Sequence, residues 1–220
     1  MPDETSATPR GTTGREQPTV STSSLTYDDL GSAAQRERRR RILEATVGLA
    51  SEGGFEQMQM RAVAERADVA LGTLYRYFPS KIHLLVSALA QELERVTEQI
   101  TRRPIPGATP ADRVTHVLGR TTVLLQDDPH LTEALTRAFM FADKSVSAEI
   151  QAVATQVTRL LGAAMHEPGQ ERATPTEDEI AVMRVIGDVW LASLVQWVTG
   201  RTSATDVDRS LDVAVRLLLR

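Results

Sequence analysis

QRERRRRILEATVGLASEGGFEQMQMRAVAERADVALGTLYRYFPSKIHLLVSAL, residues 35–89, is the stretch whose reading decides the fold. Ile42, Leu43, Ala45, Thr46, Leu49 and Ala50 recur at helical steps, which predicts a first helix over residues 33–52 with one apolar face. Gly53 and Gly54 should end it, because glycine enters the left-handed conformation at little cost. MRAVAERA predicts a second helix that turns Val63, Ala64 and Ala67 inward. After a turn at Asp68 and Val69, LGTLYRYF predicts a third, with Leu74 and Phe78 in the core. That division leaves Gly72, Thr73, Arg76 and Tyr77 outside and Tyr75 at the flank. Pro79 stops the helix, and Ser80 caps the next one, which opens at Lys81. Short helices around a tight turn behind a basic helix form a helix-turn-helix module, about residues 59–78 within a domain spanning 33–80.

A reader of the major groove needs small residues at the start of its recognition helix and polar or aromatic ones around them, which GTLYRY supplies. The arginines ahead of it, Arg36 and Arg39 among them, have two readings: a solvated charged turn, or a surface for DNA phosphates. Five arginines at a helix start oppose its dipole, which favours the second. Charge is distributed accordingly. Residues 34–85 hold nine Lys/Arg against six Asp/Glu, a local +3 in a chain whose total is −4. A basic reader on an acidic body can grip phosphates without sticking to nucleic acid indiscriminately.

Composition excludes several classes. With no cysteine among its 220 residues the chain has neither disulfides nor thiolate chemistry, and its four histidines show no metal-ligand spacing. No nucleophile with a base, acid pair or phosphate loop is legible, so an enzyme is not expected. No uninterrupted apolar run reaches the roughly 18–20 residues of a membrane span, and a cytoplasmic address without membrane association follows as an expectation. Residues 1–32, rich in Thr, Ser, Pro and Gly, read as a disordered tail.

The remainder, residues 81–220, is legible through its caps. Thr109 and Asp128 each precede a proline, Thr176 with Glu179 makes a capping box, and Ser203 with Asp206 resembles one. They place helices over 110–127, 129–142, 176–199 and 203–219, with another over 145–166 and loops over 102–110 and 166–175. No strand pattern appears, so the class is all-α. The last two helices are apolar over most of their circumference, which a two-fold homodimer would bury, through Trp190, Leu194, Trp197, Leu211, Val215 and Leu218. A ligand pocket would draw on Leu118, Leu125, Phe139, Met140, Phe141, Met183 and Trp190, although periodicity alone cannot separate a cavity from a filled interior.

The string ILEAT...GGFEQMQMRAVAERADVALGTLYRYFPSKIHLL resembles the DNA-binding domain of TetR-family transcriptional regulators. That resemblance implies an N-terminal helix-turn-helix domain and a C-terminal helical ligand-binding and dimerisation domain. It also implies operator contacts at Gln59, Arg61, Thr73, Tyr75, Tyr77 and Lys81. One departure is Ala70, where the family often caps the recognition helix with serine; either Asp68 helps to cap or the first turn is looser. LGSAAQRERRRRIL, LTEALTRAFMFAD, DVWLASLVQW and SATDVDRSLDVAVRLLL further resemble the branch that represses cholesterol catabolism in actinobacteria. It implies a steroid coenzyme A thioester as effector, whose anionic head Arg120, Arg137 or Arg184 would meet; a two-fold dimer in turn suits a palindromic double-stranded operator, and no cofactor is expected. A TetR-type regulator of another lipid, fatty-acid or drug-efflux response is the alternative. The helix over 80–100 joins the two halves and would act as the lever between effector and reader.

Overall fold

The computed structural model describes residues 32–166 and 175–220, so the expected tail and the loop after residue 166 lie almost wholly outside the described residues. Among the described residues nine α-helices follow in order: α1 (Ala33–Gln57), α2 (Met60–Arg66), α3 (Leu71–Tyr77), α4 (Lys81–Thr101), α5 (Pro110–Gln126), α6 (Pro129–Met140), α7 (Ser147–Met165), α8 (Glu177–Val198) and α9 (Ala204–Leu218). A 3-10 turn, Lys144–Val146, leads into α7. No strand occurs among the described residues.

Local chemistry sets the boundaries. Ser32 caps α1, its hydroxyl accepting from the Gln35 amide at 3.2 Å while the Gln35 side chain returns to the Ser32 amide at 3.1 Å. The same reciprocal box opens α5 (Thr109, Asp112), α8 (Thr176, Glu179) and α9 (Ser203, Asp206), and Asp128 caps α6 through the Leu131 amide at 2.9 Å. Within α1 the helical path breaks at the expected glycines: Gly54 stands at φ +65°, and the final turn to Gln57 sets off in a new direction.

The reader and the body share one core. Ile42, Leu43, Met58, Leu74 and Phe78 of the first three helices are fully buried, as are Leu84, Leu85 and Val86 of α4 behind them. Each buried Leu of this kind contributes about 2 kcal/mol before chain entropy is counted. α1 packs on α4 and α6, α4 lies against α6 and α7, and α8 pairs with α9 at the far side. α4 therefore runs from the reader's base into the middle of the body.

α8 modifies one expectation. Despite Arg184 and Asp188 in its interior, this 22-residue helix is long and apolar enough by composition to cross a membrane. Its inner face is instead occupied by α6, α7 and α9.

Candidate functional site

The reader is α2, the turn after it and α3. Asp68 makes that turn at φ +52°, and the Val69 amide returns to the Ala64 carbonyl at 3.0 Å. Arg41 of α1 donates to the Ala67 carbonyl at 2.9 Å, and Arg66 of α2 forks onto Glu52 at 2.7 and 2.9 Å, fixing the C-terminal end of α2 against α1. The hydrogen bond between them holds Glu52 below the usual carboxylate range and raises Arg66. Gly72, Tyr75 (46% exposed) and Arg76 are presented to solvent, with Thr73 half-buried beside them. Gln59 and Arg61 are exposed at the start of α2. A Cβ built at Gly72 meets nothing within 4 Å, so the opening of α3 is clear for an approaching surface.

Tyr77 departs from its expected place. It is 1% exposed, and its hydroxyl finds no hydrogen-bond partner among the described residues. The reason is geometric: residue 77 follows Leu74 by three, so a face that turns Leu74 and Phe78 inward takes Tyr77 with them. Lys81 also differs. Its ammonium bends back to the Phe55 carbonyl and lies 4.2 Å over the Phe55 ring, and burial pushes its pKa down. Ala70 is the N-cap of α3, and no side chain, Asp68 included, caps it. The leading arginines are partly spoken for: Arg40 pairs with Glu37 and Glu44, and Arg39 stacks 5.4 Å over Phe78. Arg36 is half-buried in the first turn of α1.

Beneath the reader lies a joint that the sequence did not announce. The Phe55 amide donates to Glu133 of α6 at 2.9 Å, and the Phe55 ring lies between Lys81 and Arg137, whose guanidinium is 4.6 Å from its centroid. Arg137 also pairs with Glu56 at 2.7 Å and Glu133 at 3.4 Å. Its expected role toward the ligand's anionic head therefore fails, because it faces α1. Only a partner 81 positions away in sequence shows this, and no local pattern carries it.

The cavity occupies about 1090 Å³ between α4, α6, α7 and α8. Of the expected lining, Leu125, Phe139, Met183 and Trp190 are present, joined by Leu89, Leu93, Leu135 and Leu194. Leu118 is instead fully buried in packing, and Arg120 is exposed on α5 away from the cavity. Met140 (53% exposed) and Phe141 (65%) project to solvent, because α6 ends at Met140 and the chain turns away. Arg184 and Arg159 stand exposed at the rim, with Arg159 3.8 Å from Glu94. Trp190 holds its indole through Thr122 of α5 at 3.1 Å.

The outer faces of α8 and α9 complete the picture. Trp190, Leu194, Leu211 and Val215, expected at a dimer interface, are buried within the subunit. Trp197 is half-buried. The exposed apolar residues are Ile180, Val185, Val213, Leu217 and Leu218, of which only Leu218 was anticipated. Val213 and Leu217 are one helical turn apart on the face of α9 opposite Leu211 and Val215, a spacing that could have been read.

A helix-turn-helix reader joined by one long helix to a cavity-bearing helical body defines a one-component transcriptional regulator. Residues 42–88 match the family profile for bacterial regulatory proteins of the tetR family, and residues 107–218 match the tetracyclin repressor-like C-terminal domain; the chain belongs to the TetR family. It is 57% identical over 91% of its length, and 92% of the relative's, to the HTH-type transcriptional repressor KstR of Rhodococcus jostii. It is 52% identical over 89% of its length, and 86% of the relative's, to KstR of Mycobacterium tuberculosis. These similarities make it a KstR-like transcriptional repressor rather than an enzyme. Among solved structures, a TetR regulator from Rhodococcus sp. RHA1 superposes with a TM-score of 0.77 at 32% identity, covering 84% of this chain and 97% of that one. Thermus thermophilus FadR in complex with lauroyl-CoA shares the fold at a TM-score of 0.61 and 21% identity, covering 82% and 93%.

Proposed function

We propose that the protein is a dimeric repressor of steroid-catabolism genes that leaves its palindromic operator when a steroid coenzyme A thioester enters the body. The observation that carries this reading is the cavity of about 1090 Å³ lying directly against α4 and α6, the two body helices that support the reader. It is large for a small-molecule site, where roughly 300–1,000 Å³ is usual, and its apolar wall suits a bulky hydrocarbon body. The anionic head would stay at the rim near Arg184 and Arg159. Operator contacts would come from Gly72, Thr73, Tyr75 and Arg76, supported by Gln59 and Arg61. The exposed apolar face of α8 and α9 supports a two-fold dimer that sets two readers about one DNA turn, roughly 34–36 Å, apart. A regulator of this kind acts where the chromosome is, in the cytoplasm.

Release follows from differential affinity. A ligand that wedges α6 from α4 favours a reader placement other than the operator-bound one, and the joint at Phe55 would pass that displacement to α1. A gel shift with a palindromic promoter fragment tests this. The retarded complex should disappear as steroid coenzyme A thioester is added; a complex indifferent to the thioester contradicts the effector assignment. A fatty-acyl thioester, the class of ligand bound by Thermus FadR, is the comparison compound.

A further inference from the structure

Of the chain's 25 Lys/Arg only two are lysines, Lys81 and Lys144, and the first stands at the joint beneath the reader. Lys81 opens α4 four positions after Tyr77, the last residue of α3, so the base of its side chain lies at the reader's edge. A flexible stem ending in a compact charge suits a DNA phosphate there. The ammonium points elsewhere: it donates to the Phe55 carbonyl and lies 4.2 Å from the centre of the Phe55 ring. Other cations around this joint hold carboxylates, Arg137 with Glu56 and Glu133, and Arg66 with Glu52. Lys81 has no carboxylate within ion-pair distance among the described residues. Burial works first against its charge, Glu56 and Glu133 favour it, and Arg137 opposes it.

α6 builds this dock as much as α1 does. Gly54, at φ +65°, turns the chain so that the Phe55 amide meets Glu133 at 2.9 Å, and a Cβ at Gly54 would come within 3.0 Å of the same carboxylate. Arg137, one turn on from Glu133, puts a second cation 4.6 Å from the ring centre. Two cations on one ring repel each other, so Arg137 loosens the lysine's hold; its own pairing with Glu56 and Glu133 also keeps those carboxylates from the lysine. A DNA phosphate beside the reader offers a full opposite charge in place of a ring face and a carbonyl. We propose that Phe55 is a dock that withholds Lys81 from the operator: the ammonium reaches a backbone phosphate only by leaving the ring, and Arg137 of α6 sets how readily it leaves. Lys81 is then a conditional contact, whose contribution to affinity is graded by the body. The inference rests on the reading of α3 as an operator-binding helix and on no assignment of effector.

Full-length protein labelled at lysine with carbon-13 gives two side-chain NMR signals, with exposed Lys144 as the internal reference. The Lys81 ε-methylene protons should be shifted upfield by the Phe55 ring and should move to the Lys144 position when a duplex carrying the palindromic promoter site is added. A Lys81 signal that keeps its ring shift in the complex overturns the proposal, whereas a duplex that does not bind removes the operator reading of α3 and the proposal together. Operator titrations by fluorescence anisotropy supply the second arm. Phe55→Met, which keeps most of the volume and removes the ring, should tighten binding about two- to fivefold, the worth of one cation–π contact; Phe55→Tyr, which keeps the ring, should not. Arg137→Gln should act in the opposite direction by a similar factor, because it removes the repelling charge and leaves two carboxylates free to hold the lysine. Neither Phe55→Met nor Arg137→Gln should change affinity once Lys81→Gln is present. Equal effects with and without the lysine overturn the proposal and mark the joint as structural packing.

Discussion

The reader and the body handle apolar surface in opposite ways. In the reader, Leu74, Tyr77 and Phe78 of α3 all turn inward, and what remains outside is Gly72, Tyr75 and Arg76. In the body, apolar side chains leave a cavity unfilled between α4, α6, α7 and α8, and cover the outside of α8 and α9. A small three-helix unit must spend its few large side chains on cohesion, so its function resides in what it exposes. The larger body has hydrophobic surface to spare, and on the proposed reading its function resides in the volume and the face that it leaves unpacked.

The sharpest way to break this contrast is inside α3. Tyr77→Ala should lower stability by about 3–5 kcal/mol in denaturant melts, with loss of DNA binding following from unfolding. Tyr75→Ala, two residues away and exposed, should change stability by no more than about 0.5 kcal/mol while weakening operator affinity about tenfold. Equal stability losses at both positions would erase the distinction. On the outer body, Val185→Asp should weaken self-association on the order of thirtyfold by sedimentation without altering helix content, since Val185 is 46% exposed. Inside the cavity, Gly187→Leu should cut effector affinity about tenfold and leave operator affinity unchanged. A Cβ there reaches Val157 at an ordinary 3.5 Å, and the rest of the side chain takes cavity space.

The smallest effect is in pH. Hydrogen bonds from the cap threonines and serines hold Asp112, Glu179 and Asp206 below the usual carboxylate range, chiefly through Thr109, Thr176 and Ser203. A depressed folded-state pKa stabilises above the unfolded value of about 4 and is lost as pH falls through the folded one. The thermal midpoint should therefore hold from neutrality to about pH 5 and decline below it. Ser203→Ala together with Thr176→Ala should flatten that decline.

These caps are also why so much of the fold was legible. Capping is chemistry between residues three apart, so the starts of α5, α6, α8 and α9 could be placed from sequence to within a residue. Sequence was silent on which side of an all-round apolar helix its neighbours claim. Trp190, Leu211 and Val215 look as suitable for an interface as Val185 and Val213, and only the packing of α8 on α6, α7 and α9 separates them. Tyr77 is deceptive for a related reason: a tyrosine at a recognition helix suggests contact, but its three-residue step from Leu74 carries it into the core. Arg137 required tertiary information altogether, since its meaning lies in Glu56.

Fluorescence anisotropy on a labelled palindromic duplex, titrated over a series of salt concentrations with and without steroid coenzyme A thioester, bears most directly on the whole account. Two protomers should bind per duplex, log affinity should fall linearly with log salt as phosphate counterions are released, and the thioester should lower affinity at every salt concentration. Binding by a single protomer, or affinity insensitive to both salt and thioester, would contradict it.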